Sequence, residues 1–526
     1  MWRGHASSNQ SGPDYFCCHR DRDTLALFWT AGPIMTFVSW ESVLALIVGA
    51  LYGALFGAVP GLTATLAVAL FIPVAFFLDA TIALPAIIAI SSVAIYAGDV
   101  GSAIARIPGT PASAAYADEL HNLSRSRGVL YGLGISALGS SVGGILGTLV
   151  LAGGALALAT LAAMFSSFEY FWIAVLGLSA GIFASGRHLL KGFASLLIGL
   201  LLSTVGVDPT LGYPRFHFGN PAFLGGLDYI AVMIGLFGFS EVLYHMGAGT
   251  KSAPAAHASI HRKALSNFYA GPLKLIRKTR KLVIRSSLFG IFVGFLPGAG
   301  ADIGSWVACS LEKLTAKRKK NEERVVLAGV SSNNAAVASA WIPALSLGLP
   351  GDTVTAMVLG VFMMKGVTPG PLLFQEQMPL IWILFGTFLI ANLLLLPTVG
   401  LLTARIAGTA LRLPFNLLLP IIAAACVTGA YAINHNPLDV GIMILMGAVA
   451  LMLRRGGFPL AQVVLGMVLG PILEQHFMVS AIKSNWNPLS FFERPIALVL
   501  MGACVATVIL GIIAHKRRLT GRDKGS

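Results

Sequence analysis

The stretch GALFGAVPG at residues 53–61 recurs as GIFVGFLPG at residues 290–298, and this repetition governs how the rest of the chain is interpreted. Both stretches follow the pattern G-x-x-x-G-x-x-P-G. A lone G-x-x-x-G indicates no more than the close packing of two membrane helices. Two copies that share both glycines and the final Pro-Gly, each followed by a further Pro-Gly at a similar interval, indicate an internal duplication.

The chain around these stretches is 56% hydrophobic and only 11% charged over its 526 residues. Globular proteins carry about a quarter charged residues. Several uncharged runs are long enough to span the roughly 30 Å hydrocarbon core of a bilayer. Ile381–Ala404 is one such run, and Val129–Phe165 is long enough for two spans with a short turn. Backbone in lipid must satisfy its own hydrogen bonds, so we predict an all-α polytopic membrane protein with about 11 to 12 transmembrane spans.

The net charge of +14 comes from basic residues in the gaps between the apolar runs. In a soluble protein this excess would suggest a nucleic-acid partner, whereas here it follows the positive-inside rule. We therefore expect a lipid bilayer and no nucleic acid, and we assign the basic gaps to the cytoplasm. Gaps with few basic residues, such as those at Asp79, Leu151–Leu161 and Asp208–Gly219, are assigned to the outer side.

The predicted organisation has five parts. They are a polar extension at 1–34, a first transmembrane repeat at 35–250, a basic cytoplasmic loop at 251–280, a second repeat at 281–494, and an extra span with a basic cytoplasmic tail at 495–526. The first hairpin, Glu41–Leu78, ends on the predicted outer side, and the second, Lys281–Leu311, ends on the inner side. The pattern therefore predicts two inverted-topology repeats, which are typical of secondary transporters.

The Pro-Gly pairs predict broken helices. Proline breaks a helix, and glycine adopts backbone angles that other residues avoid. The freed amide and carbonyl groups then need partners in the membrane, which a bound anion and a cation can supply. We predict substrate contacts from these pairs and from the hydroxyl side chains after them, although each hydroxyl can equally cap a half-helix. The residues are Pro60, Gly61, Thr63, Pro108, Gly109, Thr110, Ser113, Pro297, Gly298, Pro350, Gly351 and Thr353.

Amide and acidic side chains inside apolar runs are further candidates, because polar groups in a membrane need partners. The adjacent amides Asn333 and Asn334 are assigned to the substrate, with helix–helix hydrogen bonding as the alternative. Cation coupling is assigned to Asp99, Asp302, Asp352 and Thr355, with helix capping as the alternative for the latter two aspartates.

Asp99 and Arg106 stand seven residues apart on one predicted helical face. They predict either a structural ion pair, or an Arg106 that holds a substrate carboxylate while Asp99 balances its charge.

Enzyme chemistry has no support in the sequence. No HExxH, no Walker phosphate loop and no Gly-x-Ser-x-Gly elbow occurs, and we expect no cofactor beyond a coupling Na⁺ or H⁺. One alternative is a channel or exporter of small anions with the same fold, and another is a carboxylate transporter of different substrate that works without a binding protein. An intramembrane enzyme and an assembly scaffold are two more. The broken helices argue against a scaffold, which gains nothing from unsatisfied backbone at mid-membrane.

An ordered series of motifs resembles the large membrane subunit of the bacterial tripartite tricarboxylate transporters from about Leu44 to Leu500. The longest are GALFGAVPGLTAT at 53–65, YAGDVGSAIARIPGTPASAA at 96–115, GFLPGAGADIGSW at 294–306, NNAAVASAWIPALSLGLPGDTVTA at 333–356 and RRGGFPLAQVVLGMVLGPILE at 454–474. The resemblance implies cation-coupled import of citrate or another small carboxylate across the inner membrane. It also implies a small four-helix membrane subunit and a periplasmic solute-binding protein as partners.

The chain departs from this family's pattern at three places. The family usually has Asn at the position of Arg106 and a small polar residue at the position of Asp99. An acidic residue usually stands three or four positions before the paired asparagines, whereas this chain has Gly329 to Ser332 there. The departures at Arg106 and Asp99 suggest an altered preference for substrate charge. The missing acidic residue puts the family's usual coupling scheme in doubt, and Asp99 is our candidate substitute for it.

Overall fold

The computed structural model describes residues 39–59, 62–185, 189–248, 264–298, 300–315, 322–410 and 415–520. The predicted extension at 1–34, residues 251–263 of the basic loop, and the candidate site residues Pro60 and Gly61 lie outside these ranges. The described chain is almost entirely helical, with one two-stranded antiparallel ladder between Gly206–Val207 and Pro214–Arg215.

The described residues of the first half form ten α-helices. They are α1 (Trp40–Ala58), α2 (Ala64–Phe76), α3 (Ala80–Ala97), α4 (Asp99–Ala105), α5 (Ala117–Arg127), α6 (Val129–Ala162), α7 (Ser167–Ala184), α8 (Leu189–Ser203), α9 (Tyr229–Met233) and α10 (Ser240–Ala248). A π-helix at Ile234–Phe239 joins α9 to α10, so these three elements form one span.

The second half follows the amphipathic connecting helix α11 (Ala264–Lys278). Its helices are α12 (Arg280–Phe295), α13 (Ala301–Thr315), α14 (Glu322–Ser339), α15 (Trp341–Leu347), α16 (Thr353–Met364), α17 (Leu373–Glu376), α18 (Met378–Ile390), α19 (Leu396–Ala410), α20 (Phe415–Asn434), α21 (Pro437–Arg455) and α22 (Leu460–Lys483), and α23 (Pro495–Thr520) comes last. Within the described ranges, eight helices are long and apolar enough to cross a membrane, and six shorter apolar helices accompany them. The predicted class, an all-α polytopic membrane protein, is confirmed.

Each half opens with a helical hairpin because a Pro-Gly stretch separates two short helices. α1 and α2 form the first hairpin, and Thr63 caps α2 by accepting a hydrogen bond from the Leu66 amide at 3.1 Å. α12 and α13 form the second. Between them Gly298 and Gly300 have φ angles of +73° and +77°, a conformation that favours glycine. Each hairpin packs its first helix on the span that follows it, α1 on α3 and α12 on α14.

Small residues let these helices approach closely, in the same way in both halves. A Cβ atom at Gly57 would lie 2.2 Å from the carbonyl oxygen of Ala94, and one at Gly294 would lie 2.2 Å from that of Ala336. The repeated glycine motif is therefore the surface on which each hairpin packs against its span.

The second Pro-Gly break is also duplicated in detail. α3 bends into α4 at Gly98, and α14 bends into α15 at Ala340. Eight residues after each bend, Arg106 and Gly348 adopt the left-handed conformation, with φ of 61° and 70°. Both short helices end on the same nested pair of backbone bonds. The amide of the left-handed residue donates to the carbonyl four residues before it, and the next amide donates to the carbonyl six residues before it. The internal duplication therefore extends to backbone geometry.

One predicted turn is wrong. The run Val129–Phe165 is not two spans with a turn near Leu151–Leu161, because α6 continues through that region as one 34-residue helix. At roughly 1.5 Å per residue it is about 51 Å long, longer than the hydrocarbon core. Its glycines serve packing, since a Cβ at Gly143 would lie 2.1 Å from the Ser331 carbonyl oxygen of α14. The chain turns later, just before Ser167.

The two halves exchange their last spans. The span that contains Gly235 packs on α21 of the second half, and α22 packs on α8 of the first half. An ion pair accompanies each exchange. Glu241 pairs with Arg454, and Glu474 pairs with Arg215. Neither half therefore buries its apolar surface alone.

Glu312 joins the second hairpin to the next span and provides a stability test. Its carboxylate, 2% exposed, accepts from Arg285 of α12 and Arg324 of α14, both at 2.6 Å. The two arginines are partly exposed and can be rehydrated, so we expect Glu312→Gln to cost only about 1–2 kcal/mol. The thermal unfolding midpoint in detergent should fall by roughly 2–4 °C. Glu376→Gln, an exposed carboxylate, is the control, and equal midpoints for both variants would contradict this role.

Candidate functional site

A cavity of about 570 Å³ lies where the second hairpin, the start of α2 and the residues after both Pro-Gly breaks meet. Thr63 and Thr65 reach it from the first hairpin, and Gly298 and Gly300 reach it from the second. The loop after α4 contributes Thr110. The exchanged spans close its remaining sides, so both halves build the cavity.

Four helices begin at the cavity wall. Thr63 and Ala64 start α2, Gly300 and Ala301 start α13, Asp352 and Thr353 start α16, and Pro459 and Leu460 start α22, and all eight residues line the cavity. A helix N-terminus carries about half a positive charge and has amide groups without partners inside the helix. Their convergence favours an anionic ligand.

The cavity wall from the second half is held together by backbone hydrogen bonds between its two Pro-Gly segments, the one in the second hairpin and the one after α15. The Gly298 amide donates to the Pro350 carbonyl at 3.0 Å, and the Gly300 amide donates to the Gly351 carbonyl at 3.2 Å. Asp352 caps α16, since its Oδ1 accepts from the Thr355 amide at 2.7 Å. The capping alternative therefore holds for Asp352 and Thr355, while their predicted cation role stays a prediction.

The first-half wall is attached to the second hairpin. Asp302 Oδ1 accepts a hydrogen bond from the Ala112 amide at 3.1 Å, and Trp306 Nε1 donates to the Pro111 carbonyl at 3.0 Å. Thr110 and Ser113 bond each other, and the Ser113 amide donates to Thr110 Oγ1 at 3.0 Å. The loop after the break that follows α4 is thus hydrogen-bonded to α13 of the opposite half.

Acidic side chains outnumber basic ones around this cavity. Among its lining residues that the structure describes, the charged ones are Asp302, Asp352, Glu241 and Arg454. Arg454 is engaged by Glu241 and lies over the Tyr244 ring, 4.5 Å from its centroid. Asp302 and Asp352 lie close enough to interact electrostatically, and no described group of three or more His, Cys, Asp or Glu side chains fits a metal ion. An anion that enters this cavity therefore meets uncompensated carboxylates.

Two buried amides face the same space. Asn333 of α14 is 3% exposed and lines the cavity. Gln462 of α22 donates its Nε2 to the Gly181 carbonyl at 2.9 Å, and its Oε1 has no hydrogen-bond partner in the described part of the chain. An unsatisfied buried acceptor is costly, and Gln462 Oε1 has the chemistry to accept from a donor on a ligand or to contact a cation.

The structure brings together about half of the predicted site residues. Those that line the cavity are Thr63, Thr110, Gly298, Asn333, Pro350, Thr353, Asp302 and Asp352. Those that lie behind its wall or elsewhere are Asp99, Arg106, Pro108, Gly109, Ser113, Pro297, Asn334, Gly351 and Thr355. Ser240, Trp306, Arg454 and Gln462 line it without having been predicted. For Gln462, the sequence signal that could have predicted a site residue is a single amide within an apolar run. For Arg454 there was none, because the basic gap that contains it is assigned to the cytoplasm by the positive-inside rule.

Asp99 does not pair with Arg106, so that expectation is wrong. The Asp99 carboxylate is 1% exposed, and it accepts hydrogen bonds from the Tyr116 hydroxyl at 2.9 Å and from the Ser136 hydroxyl. The bend at the end of α4 turns Arg106 away from the helical face that the two residues were predicted to share.

Arg106 lies on the surface. Its Nε donates to Asp118 at 2.5 Å, and this bond lowers the pKa of the Asp118 carboxyl. Since both side chains are more than half exposed, the pair contributes little. Arg106 matters here for its left-handed backbone, which asparagine also tolerates.

We expect Arg106→Asn to keep initial uptake rates within about threefold of wild type, because a solvent-exposed ion pair contributes little. Arg106→Val should impair uptake more, since β-branched residues are strained at positive φ. Initial rates in proteoliposomes measure both. A loss above tenfold for the Asn variant, with Val no worse, would return Arg106 to the substrate.

Comparison with known proteins places the chain in one group. The profile of the tripartite tricarboxylate transporter TctA family matches residues 43–465. An uncharacterized 52.8 kDa protein in the TAR-I ttuC′ 3′ region of Agrobacterium vitis is 33% identical over 485 residues, which cover 91% of this chain and 94% of that protein. An uncharacterized protein in the TAR-II ttuC′ 3′ region is 36% identical over 236 residues, or 43% of this chain and 96% of that protein. No solved structure matches the chain.

Proposed function

Since this chain belongs to the tripartite tricarboxylate transporter TctA family, we propose that it is the large permease subunit of a binding-protein-dependent importer of small carboxylates. The proposed substrate class is a tricarboxylate such as citrate, or a dicarboxylate. Its transport is coupled to a cation, Na⁺ or H⁺. The protein carries out no chemical reaction on the substrate.

The observation that carries this proposal is the convergence of four helix N-termini on one cavity. Their amide groups and the hydroxyls of Thr63, Thr110 and Thr353 are donors suited to carboxylate oxygens. A cavity of about 570 Å³ falls within the range of small-molecule sites. We assign the substrate carboxylates to these donors, with Asn333 and Gln462 as further contacts.

Cation coupling follows from the charge of the same wall. Asp302 and Asp352 would repel a carboxylate, and Arg454 is already engaged by Glu241. A cation bound with the substrate removes this repulsion, so substrate and cation enter together. The cation-coupling role of Asp302, Asp352, Thr355 and Asp99 is part of the proposal.

The membrane arrangement completes the proposal. The two halves are inverted repeats in the bacterial inner membrane, with the C-terminus in the cytoplasm, and access alternates between the two sides. The partners are a small four-helix membrane subunit and a periplasmic protein that delivers the substrate. The duplicated breaks and the exchanged last spans support two equivalent halves around one central site.

A channel or exporter of small anions is the second candidate. The same broken helices and N-termini would suit either. The acidic cavity wall favours coupled import over a channel, because an uncoupled anion pore lined by carboxylates would repel its own ion.

Uptake of labelled carboxylates, citrate first, tests the proposal. The chain and its small partner are reconstituted in proteoliposomes, with the binding protein outside and with Na⁺, pH or no gradient imposed. Uptake that requires the binding protein and one gradient is the expected result. Uptake without either supports the channel, and no uptake of any carboxylate by folded protein rejects the substrate class.

A further inference from the structure

A second cavity of about 540 Å³ lies on the outer surface of α12, away from the transport site. It is an open groove along one face of that helix. Its walls are the side chains of Lys281, Ile284, Arg285, Leu288, Phe289 and Phe292. We call this feature the α12 groove.

Toward the C-terminal end of α12, the groove is apolar, and it is uncovered within the described chain. Ile284, Leu288 and Phe292 stand at helical spacing and are 49%, 56% and 65% exposed. On a helix of a membrane protein such a face contacts lipid tails or a partner helix. The groove is long enough to take the first part of an acyl chain, since Ile284 to Phe292 spans about 12 Å at roughly 1.5 Å per residue.

The end of the groove at the N-terminus of α12 is strongly basic. α11 ends and α12 begins beside it, and five exposed cations lie at this junction: Lys274, Arg277, Lys278, Arg280 and Lys281. None of the five has an acidic partner within the described ranges, whereas the neighbouring Arg285 is paired with Glu312. A positive-inside bias accounts for basic residues near a membrane, but it does not account for their position at the head of an apolar groove.

We propose that the α12 groove binds an anionic phospholipid, with its phosphate at the cluster Lys278, Arg280 and Lys281 and one acyl chain along Leu288 and Phe292. Clusters of four to eight basic residues beside a membrane helix attract anionic lipids. A neutral lipid would leave the cations unpaired, and a purely apolar partner helix would do the same. The bound lipid would stabilise the position of α12, the first helix of the second hairpin. It would thereby also stabilise the connection from α11 to the hairpin that lines the transport site.

Native mass spectrometry of the purified full-length chain tests this proposal. Phosphatidylglycerol and phosphatidylcholine of equal chain length are added separately, and a third sample receives inorganic phosphate as competitor. We expect preferential retention of phosphatidylglycerol. Each removed charge should weaken it about fivefold, so Lys278→Gln, Arg280→Gln and Lys281→Gln together should weaken it about a hundredfold. The control pair Arg405→Gln and Arg455→Gln, exposed cations elsewhere, should change it little.

A second variant leaves every charge in place. Leu288→Trp fills the groove and should reduce phosphatidylglycerol retention. The control is Leu393→Trp, at a similarly exposed position in the π-helix Ala391–Leu395 that follows α18, and it should leave retention unchanged. Competition by inorganic phosphate alone would identify a phosphate site and overturn the lipid proposal. Equal retention of both lipids by wild type, or unchanged retention in Leu288→Trp, would overturn it too, the latter in favour of a protein partner on this face.

Discussion

Gly351→Ala is expected to abolish most transport, and Gly109→Ala is expected to do the same from the other half. A Cβ atom at Gly351 would lie 2.7 Å from the Ala340 carbonyl oxygen and 2.8 Å from its Cα. A Cβ at Gly109 would lie 2.6 Å from the Gly98 carbonyl oxygen. These neighbours are backbone atoms at the bend of a buried helix, so they cannot rotate aside. An alanine at either position must therefore push the Pro-Gly segment away from the helix bend on which it packs.

The expected loss can be scaled from the cost of overpacking. Forcing an extra methyl group into a packed site costs about 1–3 kcal/mol, and occasionally more. If that free energy is required to reach the substrate-binding geometry, initial uptake falls by roughly 10- to 100-fold. Initial rates of carboxylate uptake in proteoliposomes are the measurement, with thermal unfolding as a check on folding.

Gly441→Ala is the matched control. Gly441 lies in helix α21, and a Cβ there would meet no atom within 4 Å. Alanine is the better helix former by roughly 1 kcal/mol, so uptake should be unchanged and stability equal or higher. If Gly351→Ala transported as well as Gly441→Ala, the close approach of the break to α14 would have no part in the transport cycle.

Asp99→Asn is expected to uncouple transport from its driving cation. Asp99 is buried in the first half and contacts only hydroxyl donors, from Tyr116 and Ser136. No basic side chain pairs with it in the described chain, and an uncompensated carboxylate at membrane depth typically serves ion or proton movement. The helix bend beside Asp99 contacts the cavity wall, because Gly98 packs against Gly109 and Thr110 and Thr110 lines the cavity.

Our proposal that Asp99 replaces the acidic residue expected before the paired asparagines has one structural support. In this chain that stretch begins at Gly329. A Cβ at Gly329 would lie 2.4 Å from the ring of Tyr116, the residue whose hydroxyl binds Asp99. The Tyr116 ring thus takes the space that a side chain at position 329 would need, and its hydroxyl binds the Asp99 carboxylate, which we propose acts in place of the missing one.

Two readouts separate coupling from simple damage. Under the gradient that drives the wild type, accumulation by Asp99→Asn should fall at least tenfold, to about the level of passive equilibration. Exchange of labelled for unlabelled substrate with no gradient should stay within about threefold, because asparagine has nearly the same shape. Asp79→Asn, at the exposed start of α3, is the control. Equal loss of exchange and accumulation would assign Asp99 a structural role, and wild-type accumulation would remove it from coupling.

The sequence by itself determined the fold class, because backbone in lipid must be helical and the apolar runs could be read by length. It also determined the duplication, since Gly53 and Gly57 reappear as Gly290 and Gly294 in the same order. The breaks were predictable because proline and glycine disrupt helices locally. Two hairpins and the pairs at Gly109 and Gly351 follow from that rule alone.

Tertiary structure decided which of these groups share one site. Asp99 and Arg106 were close in sequence, yet the left-handed turn at Arg106 separates them. Arg454 and Gln462 are far along the chain from Thr63, and only the exchange of the last spans brings them to one cavity. The turn predicted near Leu151 failed because α6 continues through that region, and its earlier glycines Gly139, Gly143 and Gly147 pack on α14. Local rules fix where a helix can break, but contacts between the halves fix what the break faces.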